Sequence, residues 1–350
     1  MDRAGTRAGA GLTLHLRRAA APEVPWSELD GRADRIVTQT LAWQDFLLET
    51  QQISPVAARV IDGDDTVGWF VAGIVRRGPI RVLGSPMRGW TTAGMGFNLD
   101  RGIDRTEALA ALPSFAFDDL GCVHVEFADR SMTDDADVPE GFHIDHLRGY
   151  ELSLVVDGSP ATDDALLAGM TAHGRRDVRR GIRNGIEVEL VDPLAPGTFA
   201  EEYYAQVSEA FAKRGKVPTY PVGRVDALIR HLGPTGRLLL LRAHTATGEV
   251  AATGIFPGLA GSTAEFWMGA SVRAHQHLLP NEVLMWTALR AWRDRGAVRF
   301  NFGGGGSYKA KYGGMPHTMP WVRRSRFEAV EAARQRAFEL NRWRQRHTRG

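Results

Sequence analysis

The sequence predicts an α/β protein (α+β in its strand order) made of two copies of one unit, each a mixed β-sheet flanked by helices. Three observations carry this. The chain has 350 residues, 43% hydrophobic and 24% charged, a globular balance with enough length for two domains and a core in each. Helical and alternating hydrophobic periods interleave along the chain instead of segregating. The order helix, hairpin, strand, helix, strand is written twice.

The elements follow in order. Residues 1–34 are rich in Ala, Gly and Arg without periodicity and read as an arm. Leu41–Thr50 reads as a short helix. Val56–Ile61 and Thr66–Arg76 read as a hairpin closed by Asp-Gly-Asp-Asp, a turn sequence that accepts left-handed backbone. A Gly/Pro-rich stretch, Gly84–Gly96, precedes a helix near Thr106–Leu120 and an alternating strand, Cys122–Phe127. Acidic sequence from Asp129 to Gly141 reads as a surface loop. In the second half, Thr198-Phe-Ala-Glu201 has the form of a capping box, and Phe199, Tyr203, Val207, Ala210 and Phe211 form one helical stripe. Arg237–Ala243 and Glu249–Phe256 form a hairpin, and Thr263–Gly269 adds a strand. Asn281 caps a helix carrying Leu284, Ala288, Leu289 and Trp292, stopped by Gly296. Val298, Phe300 and Phe302 then alternate into a run of four glycines. The expected division is an arm (1–34), a first domain (35–150), a second domain (151–325) and a basic C-terminal helix (326–350).

Composition narrows the function. Lysine and arginine total 43, of which only Lys213, Lys216, Lys309 and Lys311 are lysine. A chain that otherwise writes arginine gives each lysine a reason to be asked for. The net charge is +2, but nine arginines against three glutamates from Arg323 onward leave the body mildly acidic and the tail basic. Such a tail suits nucleic acid or an anionic surface, and equally a solvated helix end. Cys122 is the only cysteine, which excludes a disulfide framework and a cysteine zinc site. No signal-peptide core opens the chain and no apolar run reaches membrane-spanning length, so a cytoplasmic, soluble protein is expected.

Several chemistries are missing from the sequence: dinucleotide-binding and phosphate-binding glycine motifs, the serine-hydrolase elbow and the His-Glu-x-x-His zinc motif. His275 and His277 flank Gln276 in a loop without further metal ligands, so no metal is expected. Two segments stand out. His173–Ile186 carries five arginines against one aspartate; at helical spacing Arg176, Arg179, Arg180 and Arg183 fall on one side, with Val178 and Ile182 on another. Guanidinium forks suit phosphate, and a solvated face is the other reading. Phe300–Gly314 takes a strand into a glycine run and then Tyr308-Lys309-Ala310-Lys311-Tyr312. There the backbone can approach a ligand closely, and a compact ammonium suits a single developing oxyanion better than a guanidinium does.

These residues carry a resemblance. Arg175–Val188, Leu279–Trp286 and Arg295–Gly314, with Gly84–Thr92 and Met95-Gly96 in the first half, resemble the Fem-type transferases. Those are tandem GNAT (acetyltransferase-like) proteins, and the likeness is to their shorter bacterial relatives without a coiled-coil arm. It spans roughly residues 35–325. It implies transfer of an aminoacyl group from aminoacyl-tRNA to an amine of a peptidoglycan precursor or a natural-product intermediate, with the acceptor on the first domain and the donor and catalysis on the second. It further implies that Lys309 stabilises the tetrahedral intermediate and that Arg176 holds a phosphate-bearing acceptor. Arg88, Trp90, Asn281, Gly304, Gly305, Tyr308, Lys311 and Tyr312 become candidate substrate contacts. Acceptor-binding lysines of the family's first domain have no counterpart here.

No cofactor is expected in this reading, aminoacyl-tRNA being a co-substrate, and Arg342, Arg344 and Arg346 are expected to meet the tRNA. Two alternatives stay open. An acyl-CoA-dependent N-acyltransferase would need a pyrophosphate turn, and Ser271–Pro280, where GNAT enzymes usually place it, contains no glycine. A non-catalytic nucleic-acid-binding protein would use the basic tail but has no need of the glycine–lysine turn.

Overall fold

A computed structural model describes residues 14–213 and 215–347, and the side chains of all of these but 337, 338 and 340–347. The first half comprises β1 (His15–Arg18), α1 (Trp26–Leu29), α2 (Leu41–Gln51), β2 (Ser54–Asp62), β3 (Asp65–Arg77), β4 (Ile80–Ser85), β5 (Gly96–Leu99), α3 (Arg105–Ser114), β6 (His124–Phe127) and β7 (His143–Ser153). A small ribbon of β8 (Val155–Val156) and β9 (Ser159–Pro160) leads to α4 (Asp163–Gly169), α5 (Ala172–Arg183), β10 (Glu187–Val191), α6 (Phe199–Ala212) and α7 (Val222–Leu232). Then follow β11 (Leu238–His244), β12 (Val250–Pro257), β13 (Thr263–Glu265), β14 (Met268–Ser271), α8 (Pro280–Asp294), β15 (Arg299–Gly304), β16 (Met315–Ser325) and α9 (Glu328–His347).

The expected α/β architecture holds, with one large mixed sheet joining the two halves. Its strand order is β1-β2-β3-β4-β6-β16-β7-β15-β13, with β5 paired to β3. The strand β16, late in the chain, lies between β6 and β7. The expected boundary at 150/151 therefore falls inside β7, and a strand of the second half completes the sheet of the first. Sequence reading missed β16 because Pro316 and Pro320 argue against a central strand. The structure accommodates both where β16 pairs with β7 alone, since β6 reaches only Val322–Ser325. The arm also differs from expectation: from His15 onward it pairs with β2.

Two capping expectations fail locally. The Thr198 hydroxyl donates to Glu202 Oε1 at 2.7 Å instead of capping the helix. Asn281 sits one residue inside α8, which starts with Pro280, and its amide donates to Ser271 Oγ at 3.0 Å. Of the two apolar residues read as one face of α5, Val178 is buried but Ile182 is 50% exposed.

The segment read as one strand over Thr263–Gly269 is two. Phe266 N donates to Asn301 of β15 and Trp267 N to Ile255 of β12. β13 thus follows β15 into the large sheet, while β14 joins the four-stranded sheet β10-β11-β12-β14. This splay opens a wedge at Glu265–Trp267. Behind it, one apolar core spans both halves: Trp43, Phe46 and Val71 pack with Phe199, Tyr203, Leu228 and Ile255. Burial of this many large side chains at ~25 cal/mol per Å² of apolar surface fixes the halves against each other. Among the described residues, no helix is long and apolar enough to cross a membrane.

Candidate active site

The wedge is the inner end of a cleft of about 480 Å³ between the halves. One wall is the Gly/Pro-rich stretch of the first half, Arg88–Ala93; the others are Leu147 of β7, Trp321 of β16, Glu265–Trp267, and Asn301 and Gly303 of β15. A recess of about 120 Å³ shares Ala93, Leu147, Asn301 and Gly303 with it and adds Arg130, Glu151 and His317. The wall loop is pinned from both halves. Trp43 Nε1 donates to Thr92 Oγ1 at 3.2 Å, Trp267 Nε1 to the Thr91 carbonyl at 3.1 Å, and Arg224 to the Trp90 carbonyl. Arg224 is buried, and the loss of water around its guanidinium lowers its pKa to about 10.

β15 delivers the glycine run to this cleft. Gly303, Gly305 and Gly306 have φ of +72°, +74° and +62°, a left-handed course that side-chain-bearing residues rarely follow. The chain turns back so that Lys309, only 5% exposed, donates from Nζ to the Gly304 carbonyl at 2.6 Å. A Cβ at Gly303 would stand 3.8 Å from that nitrogen. The Phe266 and Tyr308 rings lie 6.0 Å from it. Among the described residues no carboxylate is within ion-pair range of Lys309. Burial lowers its pKa to about 8.

The neighbouring lysine is spent differently. Lys311 Nζ is 2.6 Å from Glu282 of α8 and 4.0 Å from Asp177 of α5. Its backbone carbonyl accepts from Thr171 N and presses against Gly174, where a Cβ would come within 2.1 Å of the oxygen. Only glycine lets α5 seat so closely on the lysine turn. The opposite, exposed side of α5 carries Arg175, Arg176, Arg179 and Arg183 around a recess of about 240 Å³. Arg175 also donates to the carbonyls of Leu167, Ala168 and Met170, closing the end of α4. Arg176 donates to His173 Nδ1 at 2.6 Å.

A carboxylate that sequence reading did not single out completes the cleft. Glu265 is 5% exposed, and its Oε1 has no hydrogen-bond partner. Its closest cation, Arg130, is 3.9 Å away and bonded to Glu151 instead. Burial raises the Glu265 pKa, Arg130 only partly offsetting it. His317 Nε2 in the same group is likewise buried without a partner, 3.7 Å from Glu151. Glu265 at the inner end of the cleft and His317 in the adjoining recess are buried polar groups close to the lysine turn, and such groups gather at functional sites. The signal was present, an acid inside the apolar run Ala264–Met268, but without the splay it reads as a solvent-facing strand residue.

Known proteins can now be set beside this geometry. Residues 172–312 match the family described as Acetyltransferase (GNAT) domain. The solved structure of FemX superposes over 87% of this chain and 96% of its own, with a TM-score of 0.68 at 14% identity. In fold this chain is similar to FemX, with tandem GNAT-like domains. A conserved protein of unknown function from Bacteroides thetaiotaomicron superposes over 89% of this chain and 99% of its own, with a TM-score of 0.54 at 11% identity. A tandem GNAT protein from the clavulanic acid biosynthesis pathway aligns over 90% and 99% at 15% identity, with a TM-score of 0.49. No curated protein sequence gives a significant match.

Within this Fem-like frame the residues singled out in the sequence separate into groups. Arg88 lines the cleft, paired with Asp145 at 2.9 Å and lying 5.6 Å from the Trp321 ring. Gly304 lines the recess, and Gly305 and Tyr308 are exposed on the turn beside it. Trp90 and Tyr312 are core residues, 4% and 2% exposed, Tyr312 stacking on Phe302. They hold backbone and do not line the cleft. Asn281 braces Ser271, Lys311 is held by Glu282, and Arg176 lies on the outer face of α5. Arg342, Arg344 and Arg346 ride on α9, which is anchored by Arg323–Glu331 and Arg334–Glu126 ion pairs of 3.0 Å each; their side chains lie outside the described residues. Among the described residues, no group of three or more His, Cys, Asp or Glu converges as metal ligands would.

Proposed function

We propose that this protein is an acyltransferase that moves an aminoacyl group from aminoacyl-tRNA to an amine of a peptidoglycan precursor or a natural-product intermediate. The observation that carries the reading is Lys309: a buried ammonium beside the cleft, with no carboxylate among the described residues to occupy it. An aminoacyl ester is already activated, so the protein's task is to hold a neutral amine against the carbonyl and to stabilise the oxyanion that forms. The amine nitrogen bonds to the acyl carbon and the carbonyl oxygen becomes negative opposite Lys309. The ester C–O bond then breaks, and the tRNA ribose oxygen leaves with a proton. That proton is the one the amine gives up on becoming an amide; Glu265, whose pKa burial raises, takes it from the amine and passes it to the ribose oxygen.

The arginine recess on α5 supports a phosphate-bearing partner. The start of α8 supports aminoacyl-tRNA over acyl-CoA as donor. That helix end, where GNAT enzymes usually hold the CoA pyrophosphate, opens with the carboxylate Glu282 in its first turn. That carboxylate is taken up by Lys311, and the loop leading into the helix, Ser271–Pro280, has no glycine to turn backbone amides toward a pyrophosphate.

The test offers the purified protein charged tRNA and acyl-CoA in separate reactions with a panel of amine acceptors, including a peptidoglycan-precursor pentapeptide. Amide formation from charged tRNA that RNase abolishes is expected. RNase-insensitive acylation from acyl-CoA would overturn the reading.

A further inference from the structure

β6 is buried along its whole length, yet one of its four residues is a carboxylate, Glu126. A charge in that place persists only where partners replace the water it gave up. Both of its oxygens are engaged. Oε2 accepts from the Arg88 amide at 3.0 Å and from Trp321 Nε1 at 3.3 Å, and Arg88 and Trp321 both line the cleft. Oε1 accepts from Arg334 of α9, through Nη2 at 3.0 Å and Nε at 3.3 Å. Burial works against the charge, but the neighbouring His124 ring, the Arg88 amide and Arg334 outweigh it and hold the Glu126 pKa at about 2.

A second route joins the same two places. Arg88 reaches Asp145 of β7 at 2.9 Å, Arg323 of β16 bonds the same carboxylate oxygen, and Arg323 Nε reaches Glu331 of α9 at 3.0 Å. Glu331 lies one turn before Arg334, with 3.8 Å between their charged groups. The path Arg88–Asp145–Arg323–Glu331–Arg334–Glu126 therefore closes on the Arg88 amide, three cations alternating with three carboxylates. Fastening a terminal helix to the surface would not require either route to end on the wall of the cleft, and both do.

We infer that α9 supports the cleft wall: Arg334, acting through Glu126, is a positioning residue that holds Arg88 and Trp321 in place for the amine acceptor. The acceptor assignment rests on the proposed acyl transfer; the hold on the wall does not. Without the Arg334 cation, Glu126 either takes up a proton or shifts toward water, and in both cases its grip on the Arg88 amide and Trp321 weakens. Lys309 bonds to the Gly304 carbonyl and not to this ring of charges, so the chemical step is left alone.

Three variants of the full chain test this. Arg334→Met keeps the side-chain stem without the cation, Arg334→Lys returns a cation, and Arg336→Met removes the same charge from an exposed position of α9. The first readout needs no activity: hydrogen exchange at the Arg88 amide, resolved by mass spectrometry of overlapping fragments. It is expected to be about tenfold faster in Arg334→Met, the worth of a hydrogen bond to a charged group, near wild type in Arg334→Lys and unchanged in Arg336→Met. The second readout is transfer from charged tRNA with the amine acceptor varied. The acceptor KM should rise about fivefold in Arg334→Met with kcat little changed, and lysine should restore it. Should Arg334→Met not fold, Glu331→Gln releases Arg323 from α9 and leaves Glu126 its cation; faster Arg88 exchange is again expected. Unchanged Arg88 exchange, an equal change in Arg336→Met, a lysine variant no better than methionine, or a fall in kcat at unchanged acceptor KM would overturn the inference. A wild type that transfers nothing defeats the acyl-transfer reading and the acceptor assignment with it; the exchange rates then still decide whether α9 holds the wall.

Discussion

Replacing Lys309 by methionine tests the chemistry with little disturbance to packing. Methionine keeps most of the buried stem and removes the ammonium, which is 5% exposed and 2.6 Å from the Gly304 carbonyl. Since no described carboxylate is within ion-pair range, no partner charge is stranded by the change, and Tm should hold or rise. Loss of one preorganised donor to an oxyanion costs about 10²–10³ in rate, and at 1.36 kcal/mol per tenfold this is ~2.7–4 kcal/mol of transition-state stabilisation. The pH dependence gives a second readout. The pKa is lowered to about 8, so the required ammonium is present below pH 8 and is lost as pH rises through that value. Wild-type kcat should therefore fall above pH 8, and the residual activity of Lys309→Met should lack that limb. Stability changes in the opposite sense, because an unfolded chain holds this proton to a higher pH than the folded one; the native state gains stability between the folded and unfolded pKa values. The assay is acyl transfer from charged tRNA over pH 6–10 under single-turnover conditions. Wild-type rates in the methionine variant, or an identical alkaline limb in both, would refute the reasoning.

Three further outcomes are expected. Glu265→Gln keeps the shape of the wedge but removes the proton acceptor, so kcat should fall at least tenfold and the acidic limb of the pH–rate profile, placed above the ordinary glutamate value by burial, should vanish; a retained limb would assign it elsewhere. Gly174→Ala places a methyl group within 2.1 Å of the Lys311 carbonyl, and overpacking against backbone should cost about 1–3 kcal/mol of stability in denaturant titrations, with kcat lowered because the lysine turn is displaced. Arg176→Ala combined with Arg179→Ala should weaken binding of a phosphate-bearing acceptor, raising its KM at least tenfold with kcat little changed; an unchanged KM would free α5 from that role.

What could be read from sequence was what depends on local order. The β2–β3 hairpin closes at Asp62 and Asp65 as its turn sequence indicates, the glycine–lysine turn stands where its glycine run and lysine pair put it, and the stripe of α8 is buried whole while that of α6 holds at Phe199, Tyr203 and Val207 and ends before the exposed Ala210. What could not be read depends on distant pairing. β16 is disguised by Pro316 and Pro320, tolerated only because β6 is short. The wedge at Glu265 exists because adjacent amides, Phe266 and Trp267, donate to different sheets. No period in the sequence encodes that division, so the carboxylate it exposes to the cleft was missed. Trp90 and Tyr312 were read with the site because they flank its motifs, but aromatic side chains next to a turn are most economically used as its core. Arg224, an unremarkable arginine in an arginine-rich chain, acquires meaning only through the Trp90 carbonyl that it holds.

The central claim is that acyl transfer occurs in the cleft with Lys309 facing the developing oxyanion. It is tested most directly by a crystal structure with a tetrahedral phosphonate mimic of the aminoacyl ester, linked to adenosine as in the tRNA 3′ end. The account predicts the phosphonate in the cleft between the Arg88–Ala93 loop and β15, with one oxygen about 3 Å from Lys309 Nζ. A mimic bound away from this cleft, or bound in it with Lys309 still turned only to the Gly304 carbonyl, would contradict it.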